Sequence, residues 1–197
     1  MIKTLCIFCG SSMGNRPVYA SEAKRVAEML SKKNITLVYG GANVGLMQIL
    51  ADTLLESGGK VIGVMPKSLV EKEVAHTRLT KLHIVADMQE RKALMAKLSD
   101  AFIALPGAYG TLDELFEALT WNQLGMIHKP IGLLNIENFF SPLLQMLDRA
   151  VTEHFLRIEH RNILQVDENI HSLLQKLEDF KPVVAEKWIE RLKAGKI

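Results

Sequence analysis

The residues of this chain that could do chemistry are one arginine, one glutamate and three glycine-rich turns. The most informative segment is Pro106-Gly107-Ala108-Tyr109-Gly110-Thr111-Leu112-Asp113-Glu114, which joins an apolar run to a segment of helical period. Glycines let the backbone approach a ligand closely, and the helix start that follows offers free N–H groups and a partial positive charge. Together these suit a phosphate. Two further turns share the pattern: Cys9-Gly10-Ser11-Ser12-Met13-Gly14 and Gly40-Gly41-Ala42-Asn43-Val44-Gly45. Any one of them is explained as a tight strand-to-helix turn that needs glycine only for its dihedrals. Three on one sheet edge weaken that explanation, and the hydroxyls of Ser11, Ser12 and Thr111 add donors for phosphate oxygens.

Arg91 stands three residues after Met88, three before Leu94 and four before Met95, inside the apolar stripe of its own helix. It is either a snorkelling side chain at the stripe edge or a guanidinium reaching over the strand ends toward an anion or a leaving group. Glu114 closes a T-x-x-E pattern with Thr111, so on pattern alone it returns a hydrogen bond to a helix cap. Asp113 reads as a solvated acid complementing the helix dipole. His128, His154, His160 and His171 show no metal-binding spacing and read as surface or loop residues.

These residues need a scaffold, and the hydrophobic pattern supplies one. Apolar, β-branched runs at 5–8, 36–39, 61–65, 82–85, 101–105, 131–134 and 163–166 alternate with helical periods. Tyr19, Ala23, Val26, Ala27 and Leu30 make one helix face. Leu46, Met47, Leu50, Leu54 and Leu55 make another, stopped by Gly58-Gly59. Asp87-Met88-Gln89-Glu90 predicts a capping box, and Asp167 is expected to cap a helix carrying Ile170, Leu173, Leu174 and Leu177. Short, fully apolar strands alternating with helices predict an α/β, Rossmann-like doubly wound fold. It has a mainly parallel sheet of about seven strands with helices on both faces. Ligands in such folds bind beyond the carboxyl ends of the strands. Residues 1–197 read as one domain. The aperiodic segment 66–80 is a candidate pocket rim, and an amphipathic helix over 182–196 is expected to pack on the body or on a second subunit.

Composition narrows the function. The formal net charge is +2, with 24 basic residues scattered along the chain. Without basic–aromatic interleaving, that argues against a nucleic-acid partner. No apolar stretch reaches the roughly 20 residues of a membrane helix. Cys6 and Cys9 lack a second ligand pair for zinc and read as two reduced, buried thiols, which implies a cytoplasmic protein. The first turn is not G-x-G-x-x-G, and no acidic residue follows the second strand, so a dinucleotide fold is excluded. Walker A and G-x-S-x-G are absent too. A mononucleotide or sugar-phosphate site remains.

Val38-Tyr39-Gly40-Gly41 with Gly45-Leu46-Met47, then Met88-x-x-Arg91-Lys92, then Pro106-Gly107-x-x-Gly110-Thr111-x-x-Glu114 resemble the LOG ("Lonely guy") family in register over nearly the whole chain. That family comprises cytokinin riboside 5'-monophosphate phosphoribohydrolases, many formerly labelled lysine decarboxylases. The resemblance implies water-dependent cleavage of the bond between an adenine-type base and ribose 5-phosphate. It makes Arg91 and Glu114 catalytic. It assigns nucleotide binding to Glu73, Lys92, Thr120 and the loop Ala108, Tyr109, Gly110 and Thr111, beside Gly107 and the turns Gly10, Ser11, Ser12, Gly40 and Gly41. It implies a homodimer acting on a small-molecule nucleotide, with no cofactor and no metal. Where the family has P-G-G, this chain has Ala108, and Ala42 likewise replaces a glycine. Each alanine would be strained if its backbone had to be left-handed. Met95, Trp121 and Met126 are candidates for the base pocket.

Two rivals remain. A non-catalytic nucleotide-binding module would tolerate loss of Arg91 or Glu114, and both are present. A lysine decarboxylase would need a lysine placed for a pyridoxal Schiff base, and no lysine stands out in that role.

Overall fold

The computed structural model describes residues 1–72 and 74–182, so Glu73 and the expected helix over 182–196 lie outside the described residues except for Pro182. Each apolar run becomes a strand: β1 (Thr4–Phe8), β2 (Thr36–Tyr39), β3 (Val61–Pro66), β4 (Lys81–Val85), β5 (Ala101–Ala104), β6 (Ile131–Leu134) and β7 (Leu164–Asp167). All pair in parallel in one sheet of order β4-β3-β2-β1-β5-β6-β7. The chain winds outward from β1 to β4, returns to β5 beside β1, and winds outward the other way. The direction of winding therefore reverses between β1 and β5, which opens a crevice at their carboxyl ends.

The helices are α1 (Pro17–Lys32), α2 (Gly45–Glu56), α3 (Lys67–Val70), α4 (Met88–Leu98), α5 (Tyr109–Gln123), α6 (Ser141–Thr152), α7 (Ile158–Arg161) and α8 (Ile170–Glu178). The period-2 alternation of a strand divides their packing. Leu5 and Ile7 face a core with α1, α2 and α8, while Cys6 and Phe8 face a second core with residues of α4, α5 and α6. Cys6 and Cys9 accordingly belong to opposite cores and are buried free thiols. The stripe Tyr19, Ala23, Val26, Ala27 and Leu30 is the buried face of α1, as its spacing requires.

Of the three side-chain caps that the sequence pattern suggests, the structure forms one, and the other two are exceptions. Asp87 caps α4 by accepting from the N–H groups of Gln89 and Glu90. Glu90 returns its bond to Ala86 rather than to the cap residue itself. The first exception is Asp167, which does not cap α8. Asn169 does, accepting from His171 and Ser172, while Asp167 pairs with Lys176 and accepts from Asn169. The strand β7 runs through Asp167, so the helix starts two residues later than its pattern suggests. The second is Thr111, described with the site. Among the histidines, His160 is buried in α7 rather than at the surface.

Ile103 lies in β5 beside the crevice and is fully buried. Ile103→Ala is expected to cost about 2–5 kcal/mol of unfolding free energy, read from the denaturant midpoint at unchanged m-value.

Candidate active site

The three glycine turns leave β1, β2 and β5 side by side, and they are tied together. Gly10 donates its N–H to Pro106 O at 3.0 Å, and Leu46 donates to Gly10 O at 3.2 Å. The turns after β1 and β5 bound a cavity of about 410 Å³ at the winding reversal, whereas Gly40 and Gly41 of the turn after β2 are not among its lining residues. One part of its wall is polar: Gly10, Ser11, Ser12, Gly107, Gly110, Thr111, Arg91 and Glu114. The other is apolar: Met13, Tyr19, Leu46, Met47 and Phe139.

Arg91 settles the choice between snorkelling and reaching inward. Its side chain is about 10 % exposed, Nε donates to Val64 O at 3.0 Å, and Nη1 approaches Met88 Sδ at 3.6 Å. The guanidinium lies over the end of β2, where a Cβ at Gly40 would overlap Nη2. Glycine at position 40 is therefore a condition for this arginine to enter the site. Gly107 plays the same part on the other wall, since a Cβ there would overlap Thr111 Oγ1.

Glu114 is not a cap partner. Helix α5 starts at Tyr109 with Ala108 as its cap residue and no side-chain cap bond, so Thr111 is already inside the first turn, buried against Gly107. One and a half turns in, Glu114 points into the cavity with a side chain 11 % exposed, Oε1 standing 3.7 Å from Arg91 Nη1. Burial pushes its carboxyl up to about 7, against the pull of the Arg91 charge. A carboxyl poised there takes or gives a proton at neutral pH. Cys9 also lines the cavity, but burial and then the Glu114 charge push its thiol up, which keeps it neutral and poorly nucleophilic.

Neither glycine replacement forces an alanine into the left-handed region. Ala108 has φ −115°, and neither it nor Ala42 is left-handed.

Other expected residues lie elsewhere. Lys92 is held by Asp113 and Glu117, each at 3.1 Å, so Asp113 is a salt-bridge partner rather than a free first-turn acid. Thr120 donates to Phe116 O at 2.7 Å. Thr120, Tyr109 and Trp121 share a separate shallow groove on α5 with Leu112 and Phe116. Of the base-pocket candidates, Met95 is core and Met126 is largely exposed. The apolar wall comes instead from Met13, Tyr19, Met47 and Phe139, whose period carries no mark of a ligand. Their one legible signal is position, since Met13 and Phe139 follow the carboxyl ends of β1 and β6. Segment 66–80 does not line the cavity among the described residues; it forms α3 and a strap bridging Ala75 to Ala42.

A family model described as "Possible lysine decarboxylase" matches residues 47–177. The "Probable cytokinin riboside 5'-monophosphate phosphoribohydrolase LOGL1" of Oryza sativa subsp. japonica is 46% identical over 176 residues, covering 89% of this chain and 79% of the relative. The Arabidopsis thaliana "Cytokinin riboside 5'-monophosphate phosphoribohydrolase LOG1" is 47% identical over 180 residues, covering 91% and 84%. This chain belongs to the LOG family. The molybdenum cofactor binding protein of Rippkaea orientalis superposes with a TM-score of 0.68 at 20% identity, covering 91% of this chain and 97% of that one, and shares the fold. Among the described residues that line the cavity there is no lysine. No helix among the described residues is long and apolar enough to cross a membrane.

The raised carboxyl has a consequence for stability. An unfolded glutamate titrates near 4.5 and the folded one near 7, so the folded state binds more protons between those values and loses stability as pH rises through that window. Glu114→Gln removes the cost. It is expected to stabilise the protein by about 3 kcal/mol at pH 8 and by almost nothing at pH 4, measured by denaturant unfolding.

Proposed function

We propose that this LOG-family chain hydrolyses the N-glycosidic bond of adenine-type nucleoside 5'-monophosphates, releasing free base and ribose 5-phosphate. The N-glycosidase class follows from the family; the nucleotide and the residue roles are the inference. The observation that carries it is Glu114, buried beside Arg91 in a cavity whose floor is built from glycine turns.

In this reading the phosphate sits against Gly107, Gly110 and Thr111 at the start of α5, with Gly10, Ser11 and Ser12 opposite. The free N–H groups of a helix start and short hydroxyls are suited to a dianion. The ribose C1′ then faces Glu114. As the bond from C1′ to the base nitrogen lengthens, its electron pair leaves with the base and oxocarbenium character grows on the sugar. An ionised Glu114 stabilises that charge and takes a proton from the water that forms the new C1′–O bond. The proton is passed on to the departing base. Arg91 offsets the negative charge that collects on the leaving group.

The apolar wall supports a finer reading. Met13, Tyr19, Met47 and Phe139 line one side of the cavity with hydrocarbon, which favours a base carrying an apolar N6 substituent. A homodimer completes the proposal: the α5 groove, with exposed Tyr109 and half-buried Phe116 and Trp121, faces a second copy. There Lys92 and Thr120 would meet the partner's nucleotide.

Incubation with AMP and with N6-isopentenyl-AMP, with release of base and ribose 5-phosphate measured, tests the reading. Turnover is expected with a preference for the isopentenyl nucleotide of about tenfold or more in kcat/KM, from the added apolar burial. Glu114→Ala and Arg91→Ala should each lower kcat by about a hundredfold or more. Nucleotide binding without turnover in the wild type would establish the binding-module alternative. With Glu114 acting as a base, kcat/KM should rise with pH through about 7 and then level off. A profile that falls through that value would instead make Glu114 the acid.

A further inference from the structure

Among the buried polar side chains that this chemistry leaves unused is His76, between α3 and β4. Its side chain is 2 % exposed. Arg78 donates its backbone N–H to Nδ1 at 3.1 Å, which leaves the ring proton on Nε2. Nε2 in turn donates to Asp52 Oδ1, on α2, at 3.0 Å. The Arg78 guanidinium closes on the same carboxylate from the solvent side.

The main chain around His76 is engaged as well. His76 donates its N–H to Gly41 O and Asn43 donates to Val74 O, both at 2.9 Å, with Ala42 and Ala75 as antiparallel partners between them. Residues 74–76 therefore form a strap laid along the β2–α2 turn. Because α2 begins at the end of that turn, the Asp52–His76 bond closes a ring running from the turn through α2 and the strap back to the turn.

The strapped turn touches both halves of the site. At one end Gly40 provides the space that the Arg91 guanidinium fills. At the other, Gly45 adopts φ +55° with its Cα against the backbone of Ser11 and Ser12. A shift of the turn moves the arginine on one side and the phosphate-facing loop on the other. The exposed Arg78 partner adds little to the ring, as surface ion pairs do.

We propose that Asp52 and His76 are positioning residues, whose hydrogen bond clamps the 74–76 strap onto the Gly40–Gly45 turn and so holds Arg91 in register with Glu114. The kinetic part rests on the hydrolase reading above. Neither residue lines the cavity, so they act through the turn and not on the nucleotide.

The test compares His76→Ala, Asp52→Ala and Asp52→Asn by kcat, KM and amide hydrogen exchange. The two alanine variants are expected to lower kcat by about tenfold or more, the scale of a sub-ångström to ångström misplacement, with KM changing less. Exchange at Asn43 and Leu46 should quicken while β5 stays protected. Asp52→Asn keeps an oxygen facing Nε2 and should recover most of the rate. Unchanged exchange at the turn in both alanine variants overturns the clamp, as does Asp52→Asn behaving like Asp52→Ala. Exchange that quickens equally in β5 also overturns it, because the pair would then support the fold at large. If the wild type cleaves neither nucleotide, the hydrolase reading fails, and exchange at the turn still decides the clamp.

Discussion

A guanidinium cannot shed its charge inside a protein, so burying one obliges the surroundings to answer it. The site is arranged around that obligation at Arg91. The carbonyl of Val64 takes Nε, the sulfur of Met88 lies against Nη1, and Gly40 withholds a side chain so that the head fits over the end of β2. Glu114 faces it at 3.7 Å, longer than a charge-assisted hydrogen bond. The two charges thus feel each other without consuming each other's hydrogen-bonding capacity, which leaves both available to a ligand between or beside them. Burial outweighs this attraction at the carboxyl, and Glu114 rests near neutrality in its titration.

Such a site costs stability, and the fold offsets it with two apolar cores on either side of the sheet. The crevice between β1 and β5 exists because the winding reverses there, so neighbouring connections leave for opposite faces. The turns at its mouth are bound to each other, Gly10 to Pro106 and Leu46 to Gly10, so the cavity wall is one connected backbone network. The strap at Val74–His76 extends that network to a segment otherwise remote from the cavity.

Strands and helix faces were legible because burial on both sides of a parallel sheet leaves an unbroken apolar run, and burial on one side of a helix leaves a 3.6-residue stripe. Local signals misled where two elements compete for one residue. Asp167 has the chemistry of a helix cap, but β7 claims its backbone, and Asn169 takes the role. Thr111 and Glu114 match a capping box in spacing, yet α5 begins two residues before Thr111 and turns Glu114 into the cavity. The Asp52–His76 pair, 24 residues apart, left no pattern at all.

The sequence by itself determined the alternating α/β order, the positions of the three glycine turns and, through three motifs in register that include the positions of Arg91 and Glu114, the family. These follow from local periodicity and from residue types that few other arrangements would retain. Only the tertiary structure decided that Glu114 is a buried acid rather than a cap and that Ala108 is not left-handed. It alone placed Lys92 with two carboxylates outside the cavity and drew the apolar wall from Met13, Tyr19, Met47 and Phe139. Each of these depends on which groups are neighbours across the crevice, and desolvation and Coulomb energy are set by that proximity, not by spacing along the chain.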